Sequence, residues 1–167
     1  MTLSEFNRLS NKQAFEALFT CCGSTIWAER MALKSPFNSL EELNKWADIH
    51  WAETSETDWI EAFTHHPKIG DINSLEKKFA TTASWASSEQ AAVNEANREV
   101  LGNLKTGNEA YWKKFGFIFI VCATGKSAAE ILDLLNRRLP GERSTELLTA
   151  VEEQNKITHI RIEKLFA

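Results

Sequence analysis

The chain has 167 residues, 43% of them apolar and 25% charged, with a formal net charge of −4 and a pI of about 5.6. That is enough for one domain with a packed core and ordinary for a globular protein. The mildly acidic balance argues against nucleic acid as the main partner, which would call for a basic patch, and no apolar run reaches the roughly 18 residues that span a bilayer. Met1-Thr2-Leu3-Ser4-Glu5 lacks the basic and apolar regions of a signal peptide, and Lys164-Leu165-Phe166-Ala167 does not match the Ser-Lys-Leu peroxisomal address. Of the three cysteines, Cys21 and Cys22 are adjacent, and nothing forms a disulfide framework or a CxxC zinc site. A reducing, cytoplasmic location is expected.

In chain order, Thr2-Leu3-Ser4-Glu5 has the form of a capping box and opens a short helix through about Leu9. Ser10 caps a second, with Ala14, Phe15, Leu18 and Phe19 on one face, ended by Cys21-Cys22-Gly23. Ser24 starts a third, through Ile26, Trp27 and Met31, which stops before Pro36. Ser39-Leu40-Glu41-Glu42 is another capping box. The helix behind it carries the stripe Leu40, Leu43, Trp46, Ala47, His50 and Trp51. The segment from Thr57 to Phe63 reads as an amphipathic helix with Trp59, Ile60 and Phe63. The six tryptophans all lie between Trp27 and Trp112, which places a large aromatic core there.

Asn73 is placed to cap a short helix from Ser74 to about Phe79, and Thr81 to Ser88 reads as a loop. Ser87-Ser88-Glu89-Gln90 is a further box, opening a helix to about Leu104 with Val93, Ala96, Val100 and Leu101 inward. Thr106-Gly107-Asn108 then breaks the chain before a short helix from Asn108 to Lys114. The run from Phe115 to Ala123 is strand-like, but no other strand exists to pair with it, so it is expected as a buried extended segment. Ser127-Ala128-Ala129-Glu130 caps a helix through Ile131, Leu134, Leu135 and Leu139, ended by Pro140-Gly141. Ser144 or Thr145 begins a last helix to about Leu165. The expectation is one all-α domain over residues 1–167, of eight or so helices, with one extended segment near 115–123.

The densest chemistry lies in Thr64-His65-His66-Pro67-Lys68-Ile69-Gly70-Asp71. Pro67 disfavours the α region for His66, so the preceding helix stops at about His65 and Gly70-Asp71 turns the chain. His66 then sits just past a helix C-terminus, where the dipole favours an imidazolium. A working acid–base group and a plain helix-capping histidine both fit that position. Glu89, in the first turn of its helix, fits either a functional acid or simple charge matching to the dipole. At 100° per residue, Leu147, Ala150, Val151, Ile157 and Leu165 form the inward stripe of the last helix, and Arg161 falls inside it. A guanidinium there either snorkels to the rim or serves as a fork for carboxylate or ureide groups. His65 points away from His66, His50 reads as a core or rim histidine, and His159 lies on the polar side of the last helix. The four histidines show no metal-ligand spacing, Cys122 reads as packing, and no nucleotide-binding glycine motif is present.

Four stretches come in a shared order: His65-His66-Pro67-Lys68-Ile69-Gly70-Asp71; Ser88-Glu89-Gln90; Phe115-Gly116-Phe117 with Phe119 to Ala123; and Ile160-Arg161-Ile162-Glu163-Lys164-Leu165. Together they resemble the OHCU decarboxylases of urate breakdown, where OHCU is 2-oxo-4-hydroxy-4-carboxy-5-ureidoimidazoline, over essentially the whole chain. The resemblance implies an all-α fold, usually dimeric, that converts OHCU to S-allantoin and carbon dioxide without cofactor or metal. It matches His66, Glu89 and Arg161 to the family's catalytic residues. It matches Pro67, Ala86, Ser87, Ser88, Gln90, Phe119, Ile120, Val121, Cys122 and Ala123 to positions that line the substrate. The polar spacer between Asp71 and Glu89 departs from the family pattern. On this reading His66 delivers a proton to one face of the carbon that loses carbon dioxide, Glu89 holds the hydroxyl and ring N–H, and Arg161 anchors the anionic or ureide end. Two other classes fit the same residues: a non-catalytic helical module binding a small ureide or anion, and a helical protein–protein adaptor.

Overall fold

The structure, a computed structural model, describes the backbone of residues 1–66 and 87–167 and the side chains of residues 1–66 and 98–167. The expected Asn73 cap, the 74–79 helix, the loop from 81, Pro67 and Ala86 lie outside the described residues. So do the side chains of Ser87, Ser88, Glu89 and Gln90. Among the described residues every regular element is a helix: α1 (Leu3–Phe6), α2 (Asn11–Cys22), α3 (Thr25–Lys34), α4 (Leu40–Ala52), α5 (Glu56–Thr64), α6 (Ser87–Phe115), α7 (Ala128–Arg138) and α8 (Arg143–Leu165). The contacts group the chain into two compact units, residues 1–66 with 149–167, and residues 67–148.

The helix starts follow their caps. Thr2 with Glu5, Ser10 with Gln13 and Ser127 with Glu130 form reciprocal boxes, each satisfying two N–H groups that a helix start would leave bare. At α4 the box is only half made. Ser39 accepts from the Glu42 N–H at 3.1 Å, but the Glu42 carboxylate turns to the Asn38 N–H at 2.8 Å. Helix α1 is shorter than its pattern suggests, stopping at Phe6, and α8 starts at Arg143, ahead of Ser144.

In the first unit the core gathers around Trp27, Phe6, Leu18, Met31, Leu43 and Ile162, all essentially without exposure. Buried indoles tie its helices together. Trp27 Nε1–H donates to the Ala47 carbonyl at 3.0 Å and Trp51 Nε1–H to that of Val151 at 3.1 Å. An unpaired buried donor would cost about 1–3 kcal/mol at either place. On the α4 stripe Leu43, Ala47 and Trp51 are buried, whereas Leu40 is exposed.

The break expected at Thr106-Gly107-Asn108 does not occur: α6 runs unbroken from Ser87 to Phe115. The three residues that signal a turn are each accommodated inside the helix. Thr106 Oγ1 donates to the Gly102 carbonyl at 3.1 Å and Asn108 Nδ2 to that of Leu104 at 2.8 Å, so both side chains bond one turn back. Gly107 is there for space, since a Cβ on it would lie 2.6 Å from Leu135 Cδ2 of α7. Gly102, in the same helix, has nothing within 4 Å of a Cβ. The two glycines should therefore respond oppositely to alanine. Gly102→Ala should stabilise by up to about 1 kcal/mol through helix propensity. Gly107→Ala should destabilise by about 1 kcal/mol or more, because Leu135 is fully buried and overpacking outweighs the propensity gain. Thermal unfolding of the two variants side by side checks this; equal shifts would contradict the packing argument.

In the second unit the run after α6 leaves the helix at Gly116, whose φ of +80° suits glycine, and continues to Ala123 as neither helix nor strand. Basic side chains take the place of a partner strand. Arg138 Nη1 donates to the Ile120 carbonyl at 2.9 Å, and Lys126 Nζ donates to that of Cys122 at 2.8 Å. Arg138 is itself held by Glu146 at 2.9 Å and lies 4.6 Å over the Phe119 ring, while Tyr111 O–H donates to Glu146 at 2.7 Å. Burial pushes the Tyr111 hydroxyl up, and its bond to Glu146 pushes it the same way, so it stays a protonated donor.

Candidate active site

Helix α5 ends where the proline pattern places it. The His65 N–H reaches the Ala62 carbonyl at 3.2 Å and the His66 N–H that of Phe63 at 3.1 Å, closing a tight last turn. The two histidines then diverge. His65 packs edge-on against Phe19, with ring centroids 4.9 Å apart, and covers Gly23 at the end of α2. Gly23 is needed twice over, since its φ is +82° and a Cβ there would lie 2.9 Å from His65 Cβ. His66 faces the other way, toward α8.

Two side chains of α8, Gln154 and Arg161, receive it. His66 Nε2 lies 2.5 Å from Gln154 Oε1, and Arg161 Nη2 points at His66 Nδ1 from 3.4 Å. Arg161 Nη1 donates to the Cys21 carbonyl at 3.2 Å. Gln154 Nε2 donates to the Cys22 carbonyl at 3.3 Å and to Thr158 Oγ1 at 3.2 Å. Gln154 and Thr158 are buried, at 0% and 2% exposure, whereas His66 and Arg161 are half-buried. An acid–base ring is thus held at the rim by a group that water does not reach.

The arginine does not snorkel. One arm of its fork is committed to the end of α2 and the other is turned to the imidazole. The cysteines beside it are packing groups: burial pushes the Cys22 thiol up to about 12 and also raises that of Cys21, so neither supplies a thiolate at neutral pH. Among the described residues no group of His, Cys, Asp or Glu is arranged to hold a metal ion. His50 stacks on Trp46 at 5.3 Å and faces Glu53, and His159 bridges Asn44 and Asp48 at 3.0 and 2.7 Å; both stand apart from His66.

Of the expected site residues, the structure brings His66 and Arg161 together. Glu89 lies in the first turn of α6, which includes Ser87 itself rather than using it as a cap. In the run after α6 Phe119, Ile120 and Cys122 are buried, and Val121 and Ala123 are half-buried. Sequence reading missed Gln154 and Thr158. Their signal was present: on the wheel they continue the stripe from Ala150 and Val151 toward Arg161, so an amide and a hydroxyl line up with the guanidinium.

An imidazole set between a buried amide and a guanidinium can take up and return a proton beside an anionic or polar ligand. Residues 7–163 match the family described as OHCU decarboxylase. A uric acid degradation bifunctional protein of Arabidopsis thaliana is 39% identical over 149 residues, which cover 88% of this chain and 45% of that protein. A 2-oxo-4-hydroxy-4-carboxy-5-ureidoimidazoline decarboxylase of Xenopus laevis is 30% identical over 183 residues, covering 99% of this chain and 95% of that one. A crystal structure of an OHCU decarboxylase in the presence of (S)-allantoin superposes with a TM-score of 0.74 at 36% identity, over 95% of this chain and 99% of its own. This chain belongs to the OHCU decarboxylase family.

Proposed function

We propose that this chain decarboxylates OHCU to (S)-allantoin and carbon dioxide in urate breakdown, with its own side chains and no cofactor or metal. Family membership supports the reaction. The observation that carries the site is the half-buried His66 ring with its Nδ1 turned to Arg161 at 3.4 Å.

In OHCU the carboxylate and a hydroxyl share C4, and C5 is bound to the ureido group and double-bonded to a ring nitrogen. When the bond to carbon dioxide breaks, its electron pair forms a C4=C5 double bond. The former C=N pair moves onto the ring nitrogen, which takes up a proton. The resulting enol collapses to allantoin when the C4 hydroxyl loses its proton and C5 gains one. C4 becomes a ring carbonyl, so the stereocentre is C5, and the proton goes there rather than onto the carbon that lost carbon dioxide. His66 is the group that takes the hydroxyl proton and returns it to one face of C5. Arg161 anchors the carboxylate or ureide. Glu89 is assigned to the hydroxyl and ring N–H on the strength of the resemblance. Pro67, Ala86 to Ser88, Gln90 and the backbone of Phe119 to Ala123 complete the same reading as substrate-lining positions. It further takes residues 1–167 as one catalytic domain, forming a homodimer in the cytoplasm.

The test follows OHCU made in place from urate by urate oxidase and hydroxyisourate hydrolase. Circular dichroism should show rapid formation of one-handed allantoin when this protein is added. Decay at the spontaneous rate to racemic product would remove the enzyme assignment and favour a ureide-binding module.

A further inference from the structure

The geometry points to Gln154 as the positioning residue that fixes which nitrogen of His66 carries the proton, holding the ring as the Nε2–H tautomer and leaving Nδ1 as the working atom. The amide of Gln154 has only one way to lie. Its nitrogen faces the Cys22 carbonyl at 3.3 Å, which can only accept, and Thr158 Oγ1 at 3.2 Å. The Thr158 hydroxyl spends its own proton on the Gln154 backbone carbonyl at 3.0 Å, so toward the amide it too can only accept. Two acceptors around one end of the amide require that end to be the NH2 group. The other end, 2.5 Å from His66 Nε2, is therefore the carbonyl oxygen, and the proton in that contact belongs to histidine.

The second nitrogen gives the same answer independently. Arg161 Nη2, 3.4 Å from His66 Nδ1, is a donor with no acceptor capacity, so a neutral ring must present a lone pair there. Gln154 is fully buried, so water does not compete for its oxygen. This is the arrangement by which an orienting group fixes an imidazole for proton transfer, with a neutral amide in the place a carboxylate often takes. A neutral orienter holds the tautomer without adding a negative charge that would stabilise the imidazolium. The ring can then take a proton and give it up again within one turnover.

The kinetic part of this inference rests on the decarboxylase reading; the tautomer part does not. In uniformly 15N-labelled protein at pH 8, long-range 1H–15N correlations of the four imidazoles separate Nε2–H from Nδ1–H rings, and the His66 set is the one missing from His66→Ala. The expected result is a protonated Nε2 and a bare Nδ1. A ring with Nδ1–H, or an even mixture of tautomers, in the unmodified protein would overturn the proposal without any variant having to fold. In Gln154→Leu the His66 signals should move toward a mixture. On the decarboxylase reading kcat should fall on the order of 10–10²-fold, with KM within about twofold. Thr158→Val, which removes one anchor of the amide, should show the same spectral change to a smaller degree. Unaltered His66 signals in Gln154→Leu, whatever its rate, would mean that Gln154 serves packing only. An unmodified protein with the expected tautomer and no turnover of OHCU would count against the decarboxylase reading and leave the tautomer assignment standing.

Discussion

Replacing His66 with alanine should leave the helical content intact and cut turnover of OHCU by on the order of 10²–10⁴, the usual contribution of a placed acid–base group. Any allantoin still formed should be racemic. The expectation follows from where the ring sits. His66 lies after the end of α5 and outside the hydrophobic cluster of its unit, so its removal creates no core cavity. The losses include the Arg161 contact and the donor to Gln154 Oε1, a buried acceptor then left without that partner, which costs about 1–3 kcal/mol. Lower thermal stability with unchanged far-ultraviolet dichroism is therefore compatible with the role. OHCU decays by itself, so handedness is a sharper readout than rate: one-sided delivery to C5 needs a fixed donor, and spontaneous protonation has none. Stereoselective production of (S)-allantoin by the alanine variant would remove His66 from the proton-transfer step.

Much of this architecture is written in short-range signals. Thr2, Ser10, Ser24, Ser39 and Ser127 each start the helix their spacing announces, because an N-cap is a local hydrogen bond between residues two or three apart. The end of α5 is equally local, since Pro67 acts on its immediate neighbour. Helix α6 runs through Thr106, Gly107 and Asn108, which are turn formers judged alone. Thr106 and Asn108 bond back to carbonyls of the same helix, and Gly107 faces Leu135 of α7, a contact that no window of sequence contains. The run from Phe117 to Ala123 shows the same limit. Its lack of a partner strand was legible, but its bond from Arg138 of α7 to the Ile120 carbonyl comes from another element. At the site, Arg161 stood out because a charge on an inward stripe is anomalous. Gln154 and Thr158 were passed over because uncharged polar groups are unremarkable on a helix until their burial is known. The orienting amide, unlike the charged groups, is recognised only when its place on the inward stripe is read together with its burial.

Arg161→Ala should raise KM by roughly 10–10²-fold and change kcat less. Charge-assisted hydrogen bonds contribute about 1.5–3 kcal/mol, and each 1.4 kcal/mol is a factor of ten in binding. The guanidinium suits this task because one arm is already anchored at the Cys21 carbonyl, 3.2 Å from Nη1, which limits the freedom left to lose when a ligand binds. The arm now 3.4 Å from His66 Nδ1 is the one able to turn to a carboxylate, which would also free the imidazole lone pair for the proton it has to carry. Arg161→Lys keeps the charge without the fork, so it should recover only part of the loss. The competing account is structural: Cys21 is in the last turn of α2, where carbonyls lack helical partners and a cation is favoured. That account predicts a lower melting temperature in Arg161→Ala with KM unchanged. Steady-state kinetics and thermal unfolding on the same two variants separate them, since only a substrate anchor moves KM and lets lysine restore it in part.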